Sequence, residues 1–533
     1  MNTKYIFVTG GVVSSVGKGI CAASIGMLLK NRGFKVSMQK LDPYLNIDAG
    51  TMNPFQHGEV FVSDDGAETD LDLGHYERFV DVNLSKLSNI TSGKIYYSVI
   101  DKERQGVYNG GTVQVIPHVT NEIKDKIKEN AQNYDADVAI IEIGGTVGDI
   151  EGQPFMEAIR QFGIDVGTEN VMYIHVTLIT TVGTWNELKT KPTQHSVIKL
   201  REIGIQPDML ICRSKEHIGE DMKEKLSLFC DVPKEAVFEG LDADTIYAIP
   251  LEYERDGVAD YILKRLQLKA NEPNLEKWRN IVNNIRNSEK TVKIGVVGKY
   301  VDNGDSYISI GEAIKHAAIA EKAKGEIDWI DSESITEKNV SEKLLSVSGI
   351  IIAGGFGARG VLGKILAIKY ARENKIPFLG ICYGLHWAVI ESLRNVLKIK
   401  DACTTEVEPH TSNPVIHLLP DQNDIANLGG TMRLGAYVCN LKENTLVKNL
   451  YRTNQISERH RHRYEVNNEY REIIQKSGLV LSGISEDGKL VEIVERSEHP
   501  FFIAVQFHPE FKSRPDRPHE IFSGLIKACL KNK

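Results

Sequence analysis

The chain has 533 residues, of which 41% are hydrophobic and 26% charged. That is globular composition, and it excludes a largely disordered or fibrous chain. At about 100–200 residues per domain the length predicts two to four folding units, with two favoured if they are large α/β units. There are 64 basic and 72 acidic residues, for a net charge of −8, which gives no support to a nucleic-acid coat protein.

The seven cysteines are Cys21, Cys212, Cys230, Cys382, Cys403, Cys439 and Cys529, with no CxxC among them. This pattern argues against a disulfide scaffold or zinc ribbon and predicts a reducing, cytoplasmic location. No run approaches the ~18 apolar residues of a membrane span, so no membrane association is expected. The first residues lead directly into a strand, and no signal peptide is expected.

Along the chain, strand-length apolar runs alternate with segments of helical period, which predicts an α/β fold with a mostly parallel sheet. The pattern starts twice, at Tyr5–Thr9 and at Val292–Val297. Between them Leu268–Thr291 is polar and carries a Trp278/Ile281/Val282/Ile285 stripe. The expected organisation is a first domain over 1–267, a helical linker over 268–290 and a second domain over 291–533.

The first strand runs into Gly10-Gly11-Val12-Val13-Ser14-Ser15-Val16-Gly17-Lys18-Gly19, followed by a helical segment ending near Gly33. This order suits a phosphate cradle: glycines let backbone N–H groups approach, the helix N-terminus adds positive potential, and Lys18 neutralises phosphate oxygens. The match to GxxxxGK[ST] is imperfect. Val12 replaces the first glycine, and Gly19 replaces the hydroxyl residue that would bind magnesium. A carboxylate must then serve the metal. The acid-rich loop Asp64–Asp72 is one source, although acid runs are usually solvated and Asp64 and Asp65 are given no role. The apolar strand Val138–Ile141, ending in Glu142, is the other. Lys40 closes a strand over Lys35–Leu41 and offers a second positive charge, but taken alone it reads as a surface lysine.

In the second half, the strand Ile376–Ile381 leads into Gly380-Ile381-Cys382-Tyr383-Gly384 and then a helical segment. This is G-x-C-x-G, the thiol form of a nucleophile elbow. The strand Phe502–Phe507 ends in His508-Pro509-Glu510, which supplies a base for the thiol and a carboxylate to orient it. The oxyanion donors are expected from backbone N–H groups near Gly355 and Tyr383. The run Glu458–Glu465 is rich in arginine and histidine, and reads as a local site for an anionic group such as an amino-acid carboxylate.

On these residues the sequence resembles the CTP synthase family, whose members aminate UTP with ammonia from glutamine. The resemblance covers nearly the whole chain. It is carried by Gly10–Ile20, Lys40–Tyr44, Gln56–Phe61, Asp70–Phe79, Glu142–Glu151, Gly429–Gly435, Glu458–Asn467 and Gln506–Phe511. It implies a dethiobiotin-synthetase-like amidoligase domain followed by a class I glutamine amidotransferase domain. ATP is expected at Ser15, Val16, Gly17, Lys18, Gly19, Ile20, Asp72 and Arg213, with magnesium at Asp72 and Glu142. UTP, and in part the inhibitor CTP, are expected at Ser14, Asp149, Ile150, Glu151, Lys189, Thr190, Lys191, Pro192, Thr193, Gln194 and Lys225. Phosphoryl transfer falls to Lys18 and Lys40. Glutamine is expected at Gly355, Tyr383, Gly384, Leu385, His386, Glu406 and Arg463. The family further implies a homotetramer, activation by GTP and inhibition by CTP. Two positions depart from its pattern: Leu385-His386 stand where Met-Gln is commoner, and Gln39 precedes Lys40. The rivals are another glutamine-fed ligase and an ATP-switched scaffold or filament subunit, which would have no use for a Cys-His-Glu set.

Overall fold

The strand opening the chain is buried along its length, as a central strand of a parallel sheet must be. The structure is a computed structural model that describes residues 3–182, 187–419 and 430–532. It divides into two units, Met1–Asp48 with His75–Val282, and Ala49–Gly74 with Asn283–Lys533.

The main sheet of the first unit has seven strands: β1 (Lys4–Gly10), β2 (Val36–Asp42), β3 (Asn89–Thr91), β4 (Val138–Ile143), β5 (Val171–Leu178), β6 (Met209–Ser214) and β7 (Val237–Leu241). They lie in the order β7-β6-β5-β1-β4-β2-β3, and every neighbouring pair is parallel. The order reverses around β1, so the crevice outside its carboxyl end is where such a sheet binds ligands. The β1 side chains Tyr5 and Phe7 pack edge-to-face on Phe162 of the helix Gln153–Val166. The Trp278 stripe falls on a helix, Glu276–Asn287. There the Trp278 indole packs at a tilt on Phe79 and edge-to-face on Tyr247, and its Nε1 donates to the Tyr247 carbonyl at 2.6 Å.

The second unit carries a nine-stranded sheet: β8 (Lys290–Gly298), β9 (Ala323–Asp331), β10 (Gly349–Ile352), β11 (Phe378–Ile381), β12 (Arg433–Leu441), β13 (Gln455–His462), β14 (Val480–Ser485), β15 (Val491–Glu495) and β16 (Phe502–Val505). Their order is β9-β8-β10-β11-β16-β15-β14-β12-β13. The β9-to-β16 half is parallel and the rest antiparallel. Among the described residues no helix is long and apolar enough to cross a membrane.

The segment Ala49–Gly74 belongs to this unit's core, and its acids are not all solvated. Asp65 is exposed, but Asp64 receives the Arg459 guanidinium at 2.6 Å. Arg459 is fully buried, also donates to the Val62 carbonyl at 3.1 Å and lies over the Phe61 ring. Arg461 pairs with Glu68 at 2.8 Å, and the Ser309 hydroxyl donates to Glu59. Arg459 and Arg461 are thus taken up by acids of this chain, so these two arginines of the Glu458–Glu465 run serve internal ion pairs; a buried guanidinium needs a fixed counter-charge. Burial alone would raise the Asp64 carboxyl, but Arg459 holds it below the usual range. A group lowered in this way stabilises the fold above its unfolded pKa and loses that contribution as pH falls. Asp64→Ala should therefore cost about 1–3 kcal/mol at pH 7, measured by urea unfolding, and its deficit against wild type should shrink below about pH 4.

Candidate functional site

In the first unit the loop after β1 is drawn tight. Val12, Ser15 and Gly17 all have positive φ, and Gly17 precedes the helix Lys18–Asn31. The lysine stem lies over Gly10, where a Cβ would meet Lys18 Cδ at 2.5 Å. Its Nζ donates to the Gly145 carbonyl at 2.7 Å, which holds the ammonium beside the segment that follows β4. Gly19 is buried in the helix's first turn, while Ser14 and Ser15 are exposed, Val16 is buried and Ile20 half-buried. Arg213, at the end of β6, brings its guanidinium up to Gly17 and pairs with Asp242 at 2.5 Å.

Glu142 ends β4 beside this loop and is 3% exposed. Its carboxylate accepts the Tyr76 hydroxyl, and its Cα partner on β2 is Lys40. Lys40 is not at the surface: only 6% of it is exposed, and its Nζ lies 3.5 Å from Asp42. The sequence made it look solvated because a charged residue at a strand end usually is. Asp72 opens the helix Asp72–Val80 and is half-buried. Among the described residues no group of three or more His, Cys, Asp or Glu is placed to hold a metal by itself. Glu142 still fits magnesium as it is used with nucleotides, which needs one or two carboxylates and takes its other ligands from phosphate and water.

Thr190 precedes the helix Lys191–Glu202, which packs on the helix Glu220–Cys230 carrying exposed Lys225. Lys189 is half-buried and pairs with Glu187 at 2.5 Å. Lys191 lies over the Phe229 ring; Thr193 and Gln194 are buried and Pro192 half-buried. Asp149, Ile150 and Glu151 are exposed in the loop after β4. Sequence reasoning missed His175 of β5. Thr9 and Ser196 bond its two ring nitrogens at 2.9 and 2.8 Å, and the Ser196 hydroxyl fills the space under Gly11. Burial, then Lys18, pushes the imidazole down to about 3, so it stays neutral and ties the end of β1 to the helix after Thr190.

In the second unit Cys382 follows β11 at φ 52°, ψ −99°, and opens the helix Tyr383–Glu391. Around it is a cavity of about 510 Å³ whose lining includes Gly355, Tyr383, His386, Glu406, Arg463 and His508. Gly384 and Leu385 are not in that lining. Gly384 is pressed on the Ile352 carbonyl, and Leu385 is fully buried. His508 Nδ1 meets Glu510 Oε1 at 2.7 Å, and the imidazole also bonds the Cys382 thiol. Burial works against the imidazolium, but the Glu510 carboxylate and the Cys382 sulfur outweigh it and raise His508 to about 10. The Tyr383 hydroxyl donates to the Gly357 carbonyl at 2.6 Å, and the Gly357 N–H donates to Glu406 at 2.7 Å. Burial raises the Glu406 carboxyl. Arg463 donates to the Thr431 hydroxyl at 2.8 Å. Of the stretch Gly429–Gly435, Gly429 lies outside the described residues.

Lys364 was also missed, because a lysine within a helical segment reads as solvated. It is fully buried under the Gly355 backbone, 4.7 Å from the Tyr383 ring centre, and its Nζ has no hydrogen-bond partner among the described residues. Burial, and then neighbouring Lys299, lowers it to about 7. An unfolded lysine stays protonated to about 10.4, so the folded state is penalised most below pH 7 and the penalty fades as pH rises toward that value. Lys364→Met should raise the urea midpoint at pH 6 and gain much less at pH 10. A loss of stability at pH 6 would contradict this reading of the buried amine.

Comparison with known proteins gives a consistent picture. The family described as CTP synthase N-terminus matches residues 4–268, and glutamine amidotransferase class-I matches 301–528. The CTP synthase of Caldanaerobacter subterraneus subsp. tengcongensis is 58% identical over 99% of this chain and 99% of its own. That of Clostridium kluyveri is 59% identical over 100% of this chain and 99% of its own. The solved glutaminase domain of Trypanosoma brucei CTPS, with bound acivicin, is 36% identical; the match covers 45% of this chain and 94% of that one, with a TM-score of 0.42.

Proposed function

The chain belongs to the CTP synthase family, and from that premise we propose how its residues divide the work. The enzyme is a glutamine-hydrolysing ligase that converts UTP to CTP and uses ATP. The functional halves are residues 1–267 and 291–533, joined by the linker 268–290.

The observation that carries the glutaminase reading is Cys382 at positive φ, bonded to His508, which Glu510 orients. The raised His508 holds the proton that the thiol gives up, so the sulfur can attack the glutamine amide carbon. Backbone N–H groups near Gly355 and Tyr383 receive the developing oxyanion. His508 then returns its proton to the leaving ammonia, and water releases glutamate. Glu406 and Arg463 suit the amino and carboxylate groups of glutamine by charge. Gly384 and Leu385 act by shaping the helix that carries Tyr383 and His386.

In the amidoligase half, Ser15–Ile20, Asp72 and Arg213 take ATP, and Ser14, Asp149–Glu151, Lys189–Gln194 and Lys225 take UTP or CTP. A pyrimidine carbonyl oxygen leaves poorly, and its phosphorylation converts it to a leaving group that ammonia can displace. Lys18 and Lys40 offset the charge that develops during transfer. Asp72 and Glu142 would hold magnesium, which supplies charge neutralisation on the phosphates when bound. Ammonia made in one half is used in the other. GTP activation, CTP inhibition, a homotetramer and a cytoplasmic location complete the reading.

With UTP, ATP, magnesium and glutamine, the product should be CTP; XMP in place of UTP should give none. Lys18→Ala should lower kcat for CTP formation by about 100-fold or more with a smaller change in the KM for ATP, as expected when a transition-state contact is lost. A change in KM alone would reduce Lys18 to a binding residue.

A further inference from the structure

Cys382 Sγ has a polar neighbour besides the histidine. The Gln506 side-chain Nε2 lies 3.8 Å from the sulfur, within range of an N–H···S hydrogen bond, and the Arg461 carbonyl lies 3.7 Å away on the same sulfur. The two neighbours have opposite consequences. The thiol can donate to the Arg461 carbonyl, but the thiolate cannot and is repelled by it. A donor aimed at the sulfur offsets that repulsion only in the charged form.

Whether Gln506 presents its NH₂ or its carbonyl to the sulfur depends on His386. The His386 Nε2 stands 2.9 Å from Gln506 Oε1. Burial lowers the imidazole to about 4, so it is neutral near pH 7 and carries one ring proton. The Nδ1 makes no hydrogen bond of good geometry among the described residues; the Tyr464 carbonyl lies close enough to attract a ring proton, but it is engaged by His462 Nδ1 at 2.9 Å, whereas Nε2 has Gln506 Oε1 at full hydrogen-bond distance. The proton therefore belongs on Nε2, where it donates to Gln506 Oε1. That contact fixes the amide with its oxygen toward His386 and its NH₂ toward the sulfur. Gln506 is 1% exposed, and its backbone N–H donates to the Glu492 carbonyl at 2.8 Å, so the side chain has little freedom to turn. Gln506 does not line the cavity around Cys382, so it acts on the nucleophile and not on the bound glutamine.

We propose that Gln506 is a further catalytic residue of the glutaminase site, whose amide N–H stabilises the Cys382 thiolate, and that His386 is the positioning residue that holds this amide in the productive orientation. The proposal deepens the glutaminase reading and rests on it. It also gives the departure at 386 a function: a neutral imidazole donates to the same amide oxygen that a side-chain amide N–H at this position would reach.

The test is the rate of Cys382 alkylation by iodoacetamide at pH 7 on the full-length protein, with Cys382→Ala setting the baseline for the six other buried cysteines. Gln506→Leu should slow alkylation about tenfold, the size of one hydrogen bond to a charged group. It should lower kcat for glutamine hydrolysis by a similar factor with little change in KM. His386→Leu should slow alkylation comparably, and His386→Gln should restore much of the rate. An alkylation rate in Gln506→Leu within twofold of wild type would overturn the proposal. If Gln506→Leu fails to fold, as judged by loss of ammonia-driven CTP synthesis, His386→Leu decides: an unchanged alkylation rate there overturns the proposal equally. Failure of the underlying reading looks different, since Cys382→Ala would then keep glutamine-driven synthesis and Gln506 would have no nucleophile to serve.

Discussion

The second unit is organised around one unfavourable backbone conformation. Cys382 sits at φ 52°, a region that side-chain-bearing residues avoid, at a cost of order 1–3 kcal/mol. The turn is possible because its neighbours lack side chains. A Cβ on Gly380 would lie 2.8 Å from the Gly384 carbonyl, and one on Gly384 would lie 2.5 Å from the Ile352 carbonyl. The strain is held by β11 between β10 and β16, with the Cys382 N–H bonded to the Val505 carbonyl at 2.7 Å. The same β16 runs on to Gln506, His508 and Glu510. A single strand pairing therefore fixes Cys382, Gln506, His508 and Glu510 relative to one another.

Buried charge is the second recurring constraint, and it is handled in two ways. Where stability is at stake, each charge has a fixed partner: Arg459 with Asp64, Arg461 with Glu68, and Arg433 with Glu492 at 2.8 Å. Behind the cavity around Cys382, Lys364 makes no hydrogen bond among the described residues and lies close to an aromatic face. Unpaired buried amines are costly and concentrate at functional sites. Its amine lies against Gly355 and Tyr383, the residues whose backbone N–H groups we propose receive the oxyanion.

The α/β class was legible from alternating strand-length and helical segments; the first sheet is parallel throughout, and the second is parallel only over its β9-to-β16 half. The tight glycine-rich turn from β1 into the helix Lys18–Asn31 was legible because glycine, lysine and helix start follow one another in register. The meeting of Cys382, His508 and Glu510 was legible because G-x-C-x-G and H-x-E each stand at the end of an apolar strand. Three features were not. The Arg459–Asp64 pair joins residues 395 positions apart, and no local spacing records such a contact. Lys40 and Lys364 are charged residues in ordinary strand and helix positions, where solvent exposure is the usual outcome. His175 sits within the apolar run of β5, and only its bonds to Thr9 and Ser196 distinguish it from a core residue.

Glutamine hydrolysis needs a thiolate, while amination of UTP needs only ammonia, so one chain carries two separable chemistries. The most direct measurement is the ratio of glutamine-driven to ammonia-driven CTP synthesis in Cys382→Ala, at a pH that supplies free ammonia. The predicted result is near-complete loss with glutamine and a near-normal rate with ammonium salt. Retained glutamine-driven synthesis would contradict the role of Cys382, and loss of both activities in a folded variant would contradict the separation of the two chemistries.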